Sequence, residues 1–165
     1  MLYVATDHAG FELKEDLLKK LARSKIKYTD LSKKFQEGDD YPDVANLLAN
    51  QLKVEPKAKG IAICGAGQGI CIALNRYTWI RAGIYQKREV IRLLRAHNDG
   101  NVLCLPARFM NSTKAIKLIK VFLNTPYSSE ERHARELKKF HNLGSSNSRA
   151  QAGHKIIPII KFTEV

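Results

Sequence analysis

A glycine-rich stretch near the middle of the chain, AICGAGQGICIALNR (residues 62–76), contains a cysteine and leads into an apolar run. Such residues could form a dinucleotide-binding loop, a cradle of backbone amides for an anion, or a site at which the cysteine reacts. The glycine spacing is G-A-G-Q-G rather than G-x-G-x-x-G, and no acidic residue ends the strand that follows, so a dinucleotide is disfavoured. Amides that converge on a phosphate or a developing oxyanion fit best, and a glycine turn needed only for packing is the structural alternative.

The three cysteines of the chain differ in their predicted surroundings. Cys71 falls on an apolar helix and Cys104 within an apolar strand, and both patterns indicate packing residues. Cys64 ends a strand immediately before a predicted helix, where a thiolate is stabilised. Cys64 is therefore the candidate nucleophile or base.

Two further groups of polar residues raise a geometric question. Asp7 and His8 follow the first strand, and in a parallel sheet they should share a crevice with the residues after the third strand. His97 and Asn98 precede the last strand, so they belong to the opposite edge, and a strand of five or six residues spans roughly 17–20 Å. Either His97 is an ordinary histidine at a helix end, or a second subunit completes the site.

Basic residues are abundant, with 28 Lys and Arg against 16 Asp and Glu. Most lie on amphipathic helical segments, which is typical of a solvated surface, so a nucleic-acid partner is not expected. Arg132 and Arg135 share one helix face, and with Arg108 they could instead clamp a phosphate.

Short apolar strands alternate with helical segments along the chain, which predicts an α/β fold. Five such strands predict a Rossmann-like, doubly wound parallel sheet with helices on both faces, a three-layer α/β/α architecture. We expect one domain over residues 1–144, followed by an extension over residues 145–165 with a polar linker and an extended apolar segment. We find no signal peptide, membrane helix or disulfide framework in the sequence, so we expect a cytoplasmic protein.

Six motifs follow one another over roughly residues 1–140, in the order DHAGFELKE, DYPD, ICGAGQGICIALN, IRAGI, AHNDGNVLCLPAR and ERHAR. In this combination the chain resembles the ribose-5-phosphate isomerase B family, which includes allose-6-phosphate and galactose-6-phosphate isomerases. The resemblance implies an aldose–ketose isomerase without metal or cofactor. It also implies a homodimer or dimer of dimers whose active sites are shared between subunits.

The resemblance also implies roles for individual residues. Cys64 would be the base that moves a proton between C1 and C2 through a cis-enediolate, and His97 of the partner subunit would assist ring opening. The phosphorylated sugar would be bound by residues at the matching motif positions, namely Asp7, His8, Tyr41, Gly65, Ala66, Gly67, Gln68, Gly69, Asn98, Arg108 and Arg132. Some relatives use a glutamate in the following helix as base, but the corresponding residue here is Ile70.

Three positions depart from the family pattern. Ala66 replaces a Ser or Thr, Glu136 replaces a second phosphate-binding arginine, and Pro106 stands where Gly is usual. A sugar-phosphate-binding relative without catalysis and an isomerase of a six-carbon sugar phosphate are therefore the alternative hypotheses.

Overall fold

Strands and helices alternate along the chain, as the sequence predicts. The structure, a computed structural model, describes residues 1–140 and residue 143. The strands are β1 (Leu2–Thr6), β2 (Thr29–Asp30), β3 (Lys59–Cys64), β4 (Ala82–Ile84) and β5 (Val102–Pro106). The helices are α1 (Phe11–Arg23), α2 (Tyr41–Val54), α3 (Gln68–Leu74), α4 (Arg88–Asn98), α5 (Ser112–Asn124) and α6 (Glu131–Phe140). The expected extension over residues 145–165 lies outside the described residues.

The five strands form one parallel sheet in the order β2-β1-β3-β5-β4. The predicted Rossmann-like class is confirmed, although β5 and β4 exchange places relative to the flavodoxin-like order. The chain passes from β2 on one side of β1 to β3 on its other side. This reversal makes the boundary between β1 and β3 a topological switch point, where ligands of open parallel sheets bind beyond the carboxyl ends of the strands.

Alternate residues of the central strands face two separate apolar layers. On one face, Ala62 and Cys104 belong to a core that includes buried residues of α2 and α3. On the other face, Ile61 and Ile63 pack with buried residues of α1, α4 and α5. Because both faces are covered, β3 is apolar along almost its whole length rather than alternating with polar residues.

A charged cluster fixes the turn between α4 and β5. Asp99 adopts a left-handed conformation with φ of 43°, and its two carboxylate oxygens lie 2.7 Å from Arg81 Nη2 and Arg95 Nη1. Arg95 Nη1 also donates to the carbonyl oxygen of Gly100 at 2.7 Å. The turn therefore places the end of α4 firmly at the amino edge of the sheet.

No helix among residues 1–140 is both long and apolar enough to cross a membrane.

Candidate active site

Three chemically distinct side chains meet at the carboxyl edge of the sheet. Pairing of Thr6 with Ile63 and of Cys64 with Pro106 puts the ends of β1, β3 and β5 side by side. Asp7, Cys64 and Arg108 follow or end these strands, and neighbouring strands are about 4.8 Å apart. The amide of Arg108 donates to the carbonyl oxygen of Gly65 at 3.0 Å, which ties the segment after β5 to the glycine-rich loop.

The glycine-rich loop directs a donor at the Cys64 thiol. The amide of Gly67 donates to Cys64 Sγ at 3.2 Å, and Gly67 has a left-handed backbone with φ of 75°. A Cβ at Gly67 would lie 2.4 Å from Ile84 Cδ1, so both the conformation and the space require glycine. The thiol is buried, and an amide donor beside a helix N-terminus stabilises negative charge on sulfur.

The other residues of the loop line the same edge. Ala66 and Gln68 are exposed, and the amides of Gln68 and Gly69 belong to the first turn of α3, where a helix has no internal acceptor for them. A Cβ at Gly69 would lie 2.7 Å from Tyr41 Cζ, so the Tyr41 ring rests against the loop. Tyr41 opens α2, whose first turn contains Pro42, a residue favoured at that position. The loop thus presents the first-turn amides of α3 beside an aromatic ring.

Asp7 and His8 lie at the end of β1 in different electrostatic environments. Asp7 is 5% exposed, and its Oδ1 accepts from the amide of Gly10 at 3.1 Å. Burial raises the pKa of Asp7 above its ordinary value. His8 is exposed and contacts Asp39, whose hydrogen bond raises the pKa of the imidazole. Asp39 was not among the predicted site residues, because four acidic residues occur close together before and in α2 and the sequence does not show which one turns inward.

His97, Asn98 and Arg132 form a separate group at the opposite edge of the sheet. The His97 ring stacks on buried His133 of α6 with centroids 4.1 Å apart, and the Arg81 side chain next to β4 donates to the carbonyl oxygen of Asn98. Strand β3 begins at this edge and ends at Cys64. It is about 17 Å long at 3.3 Å per residue. The structure therefore separates the predicted residues into two groups that one small ligand cannot bridge within one chain.

Arg132 and its neighbour Glu136 interact directly. Arg132 Nε lies 3.7 Å from Glu136 Oε1, and both side chains are more than half exposed. The Glu136 carboxylate, at the position where the resemblance implies a second arginine, therefore points towards Arg132. An exposed pair of this kind is weak, so Arg132 can exchange Glu136 for a more highly charged anion.

The two remaining cysteines behave as packing residues. Cys71 and Cys104 are both buried, and burial raises the pKa of the Cys104 thiol well above its ordinary value. Residues 1–140 contain no group of three or more His, Cys, Asp or Glu side chains arranged to hold a metal ion.

The chain is similar over most of its length to known proteins. A model of the Ribose/Galactose Isomerase family matches residues 2–140. A probable ribose-5-phosphate isomerase B of Mycoplasma pneumoniae is 38% identical over 139 residues, which cover 84% of this chain and 91% of that protein.

Solved structures extend this similarity to the fold. A ribose 5-phosphate isomerase from Thermotoga maritima is 36% identical, with a TM-score of 0.81 over 86% of this chain and 97% of that one. The ribose-5-phosphate isomerase B of Mycoplasma genitalium, solved with bound ribulose-5-phosphate, is 34% identical, with a TM-score of 0.79 over 86% of this chain and 93% of that one.

Proposed function

Because the chain belongs to the ribose/galactose isomerase family, we propose that it interconverts ribose 5-phosphate and ribulose 5-phosphate, with Cys64 as the base. It is a sugar-phosphate isomerase, like the relatives of both Mycoplasma species. The observation that carries the assignment of the base is the position of Cys64 Sγ at the switch point, within 3.2 Å of the Gly67 amide. Cys64 thus places a thiol at the end of β3 and next to the N-terminus of α3, and both features suit a base.

The reaction needs a base and a site for an oxyanion. In the open-chain aldose, the C2 proton is acidified by the C1 carbonyl, and the thiolate of Cys64 removes it to give a cis-enediolate. Returning the proton to C1, while the C2 hydroxyl gives its proton to the C1 oxygen and becomes the carbonyl, yields the ketose. The reaction is redox-neutral overall, so no external electron donor or acceptor is needed. The amides of Gln68 and Gly69 are suited to stabilise the enediolate oxygen, since the Gly67 amide is already directed at the sulfur.

The remaining residues of the carboxyl edge would hold the substrate. Asp7, His8 and Tyr41 surround the loop and offer hydrogen bonds to sugar hydroxyls or to the phosphate. Arg108 lies against Gly65 and supplies a positive charge at the same edge.

Three proposed site residues must come from a second subunit. His97, Asn98 and Arg132 of one chain lie at the edge of the sheet opposite its own Cys64, and β3, which runs between the two edges, is about 17 Å long. We infer that a homodimer, or a dimer of dimers, brings this group to the Cys64 of the neighbouring chain. There His97 of the partner subunit would assist ring opening and Arg132 of the partner subunit would bind the phosphate.

The role of Cys64 is tested by proton exchange at C2 in deuterated water. Cys64→Ala should lose exchange by about 10²- to 10⁴-fold while its circular dichroism spectrum stays unchanged. Cys71→Ala is the matched control, because Cys71 is also buried and lies only seven residues later, in α3. Retained exchange in Cys64→Ala would exclude this cysteine as the base.

The substrate is tested by comparing ribose 5-phosphate, allose 6-phosphate and galactose 6-phosphate under one set of conditions. Faster turnover of either six-carbon sugar would favour that alternative. Ala66 and the Arg132–Glu136 pair are the observations that favour a binding protein without catalysis. That alternative predicts saturable binding of a phosphopentose with no product.

A further inference from the structure

The imidazole of His8 is held by a single residue of the loop that precedes α2. Asp39 Oδ1 accepts from the backbone amide of His8 at 2.6 Å and lies 3.0 Å from His8 Nδ1. The carbonyl oxygen of Asp39 lies 3.1 Å from the same nitrogen. One residue therefore contacts both the backbone and the ring of His8.

These contacts fix the position of one proton on the ring. A carbonyl oxygen and an ionised carboxylate oxygen can only accept hydrogen bonds, so Nδ1 must be the donor. Among the described residues, the hydrogen bonds to the His8 side chain all involve Nδ1. Nε2 is thus the nitrogen left for a ligand, and the side chain is 42% exposed.

The same carboxylate affects the charge of the ring. Hydrogen bonds to Asp39 raise the pKa of His8 above its ordinary value. Asp7, at the end of β1, acts in the same direction through its charge, while partial burial opposes both. His8 consequently remains a cation to a higher pH than a free histidine does.

The loop over residues 31–40 is anchored at two other points, so the Asp39 contact is separable from the fold. Buried Lys14 Nζ donates to the carbonyl oxygen of Ser32 at 2.7 Å, and Ser32 Oγ accepts from the amide of Thr6. Further along, the Phe35 ring packs edge-on against Phe11 at 5.5 Å. Removing the Asp39 side chain should therefore leave the path of the loop in place.

We propose that Asp39 is a positioning residue for substrate binding: it holds the Nδ1 side of His8 against the loop and leaves Nε2 for the substrate. Nε2 donates when the ring is the cation and accepts when the ring is neutral. This inference deepens the proposed function and rests on it, since His8 is there a substrate-binding residue. Asp39 itself need not touch the sugar phosphate. It acts by fixing the orientation, the tautomer and the charge of the group that does.

Two variants of Asp39 in the full-length chain separate orientation from charge. Asp39→Asn keeps a side-chain oxygen acceptor and removes the charge, whereas Asp39→Ala removes both and leaves only the backbone carbonyl oxygen of residue 39 to accept from Nδ1. Asp40→Asn is the matched control, because it removes the same charge from the next residue. The Asp40 side chain is exposed and makes no capping hydrogen bond to α2.

The first measurement is the ¹⁵N and ¹H NMR titration of His8. In the wild type we expect the Nδ1-protonated tautomer and a raised pKa, as the Asp39 contacts require. Asp39→Ala should lower that pKa and reduce the share of the Nδ1-protonated tautomer, which only the carbonyl oxygen of residue 39 then supports. Asp39→Asn should lower the pKa while largely keeping the tautomer, and Asp40→Asn should leave the tautomer unchanged. An unchanged tautomer and an unchanged titration in Asp39→Ala would overturn the proposal.

The second measurement is the pH dependence of KM and kcat for ribose 5-phosphate. Asp39→Ala should raise KM by about tenfold and change kcat by less than about twofold, and its KM should begin to rise at a lower pH. An altered His8 titration with an unaltered KM would also overturn the proposal. If the folded wild-type protein turns over no sugar phosphate, the proposed function fails. Binding of inorganic phosphate then tests Asp39 without turnover: weaker binding by Asp39→Ala supports its positioning role, and equal binding contradicts it.

Discussion

Mixing two inactive variants should restore activity if the active site is shared between chains. Cys64→Ala lacks the proposed base, and His97→Asn lacks the proposed ring-opening group. In one chain these positions lie at opposite edges of a sheet whose strand β3 is about 17 Å long. Equal amounts refolded together give dimers in a 1:2:1 ratio. Each mixed dimer contains one site with both native side chains, so the mixture should recover about a quarter of the wild-type rate.

A second mixture provides the control for this experiment. When a chain that carries both substitutions is refolded with an equal amount of wild type, a shared site leaves only wild-type dimers active, about a quarter of the total rate. A site contained within one chain would instead leave about half of the rate in this mixture and none in the first. Isomerase assays of both mixtures, with mixed dimers verified by two affinity tags, distinguish the cases. Mixed dimers without recovered activity would refute the shared site.

Three other substitutions test separate parts of the structure. Gly67→Ala should lower the free energy of unfolding, measured by urea denaturation, by about 1–3 kcal/mol, because φ is 75° and the new Cβ would clash with Ile84. Gly38→Ala is the control: φ is 67° there but the space around it is open, so the loss should be only about 1 kcal/mol. Asp7→Asn should raise the melting temperature at pH 7 while lowering activity. Burial raises the pKa of Asp7, so its ionised form destabilises the fold at neutral pH, and the difference between variant and wild type should vanish below about pH 4. Glu136→Gln should lower KM for the sugar phosphate by freeing Arg132, and an unchanged KM would show that the ion pair does not compete with the substrate.

Most of the fold could be predicted because a buried parallel sheet leaves a strong pattern. Each central strand is a short apolar run, and each is separated from the next by a helix with one apolar face. The order of β4 and β5 could not be predicted in the same way. Alternation shows that strands are parallel, but it does not show which neighbour a three-residue strand such as β4 pairs with.

The candidate site was predictable where it depends on strand ends and not where it depends on loop conformation. Cys64 and Asp7 follow from the rule that ligands bind beyond the carboxyl ends of strands. Asp39 could not be found in this way, because its carboxylate reaches His8 only through the path of the loop over residues 31–40. Asp99 is the opposite case: the HND motif makes it conspicuous in the sequence, but in the structure it forms ion pairs with Arg81 and Arg95 that hold a turn.

The anchoring of the loop over residues 31–40 has a consequence for the kinetics of the enzyme. Ser32, Phe35 and Asp39 each contact α1 or residues at the end of β1, so this side of the site is already ordered before substrate arrives. Binding then loses little conformational entropy from this loop, and no closing motion of it has to precede the chemical step. We therefore expect pre-steady-state traces to show no slow phase from ordering of this loop, and turnover to be limited by ring opening, proton transfer or release of the product.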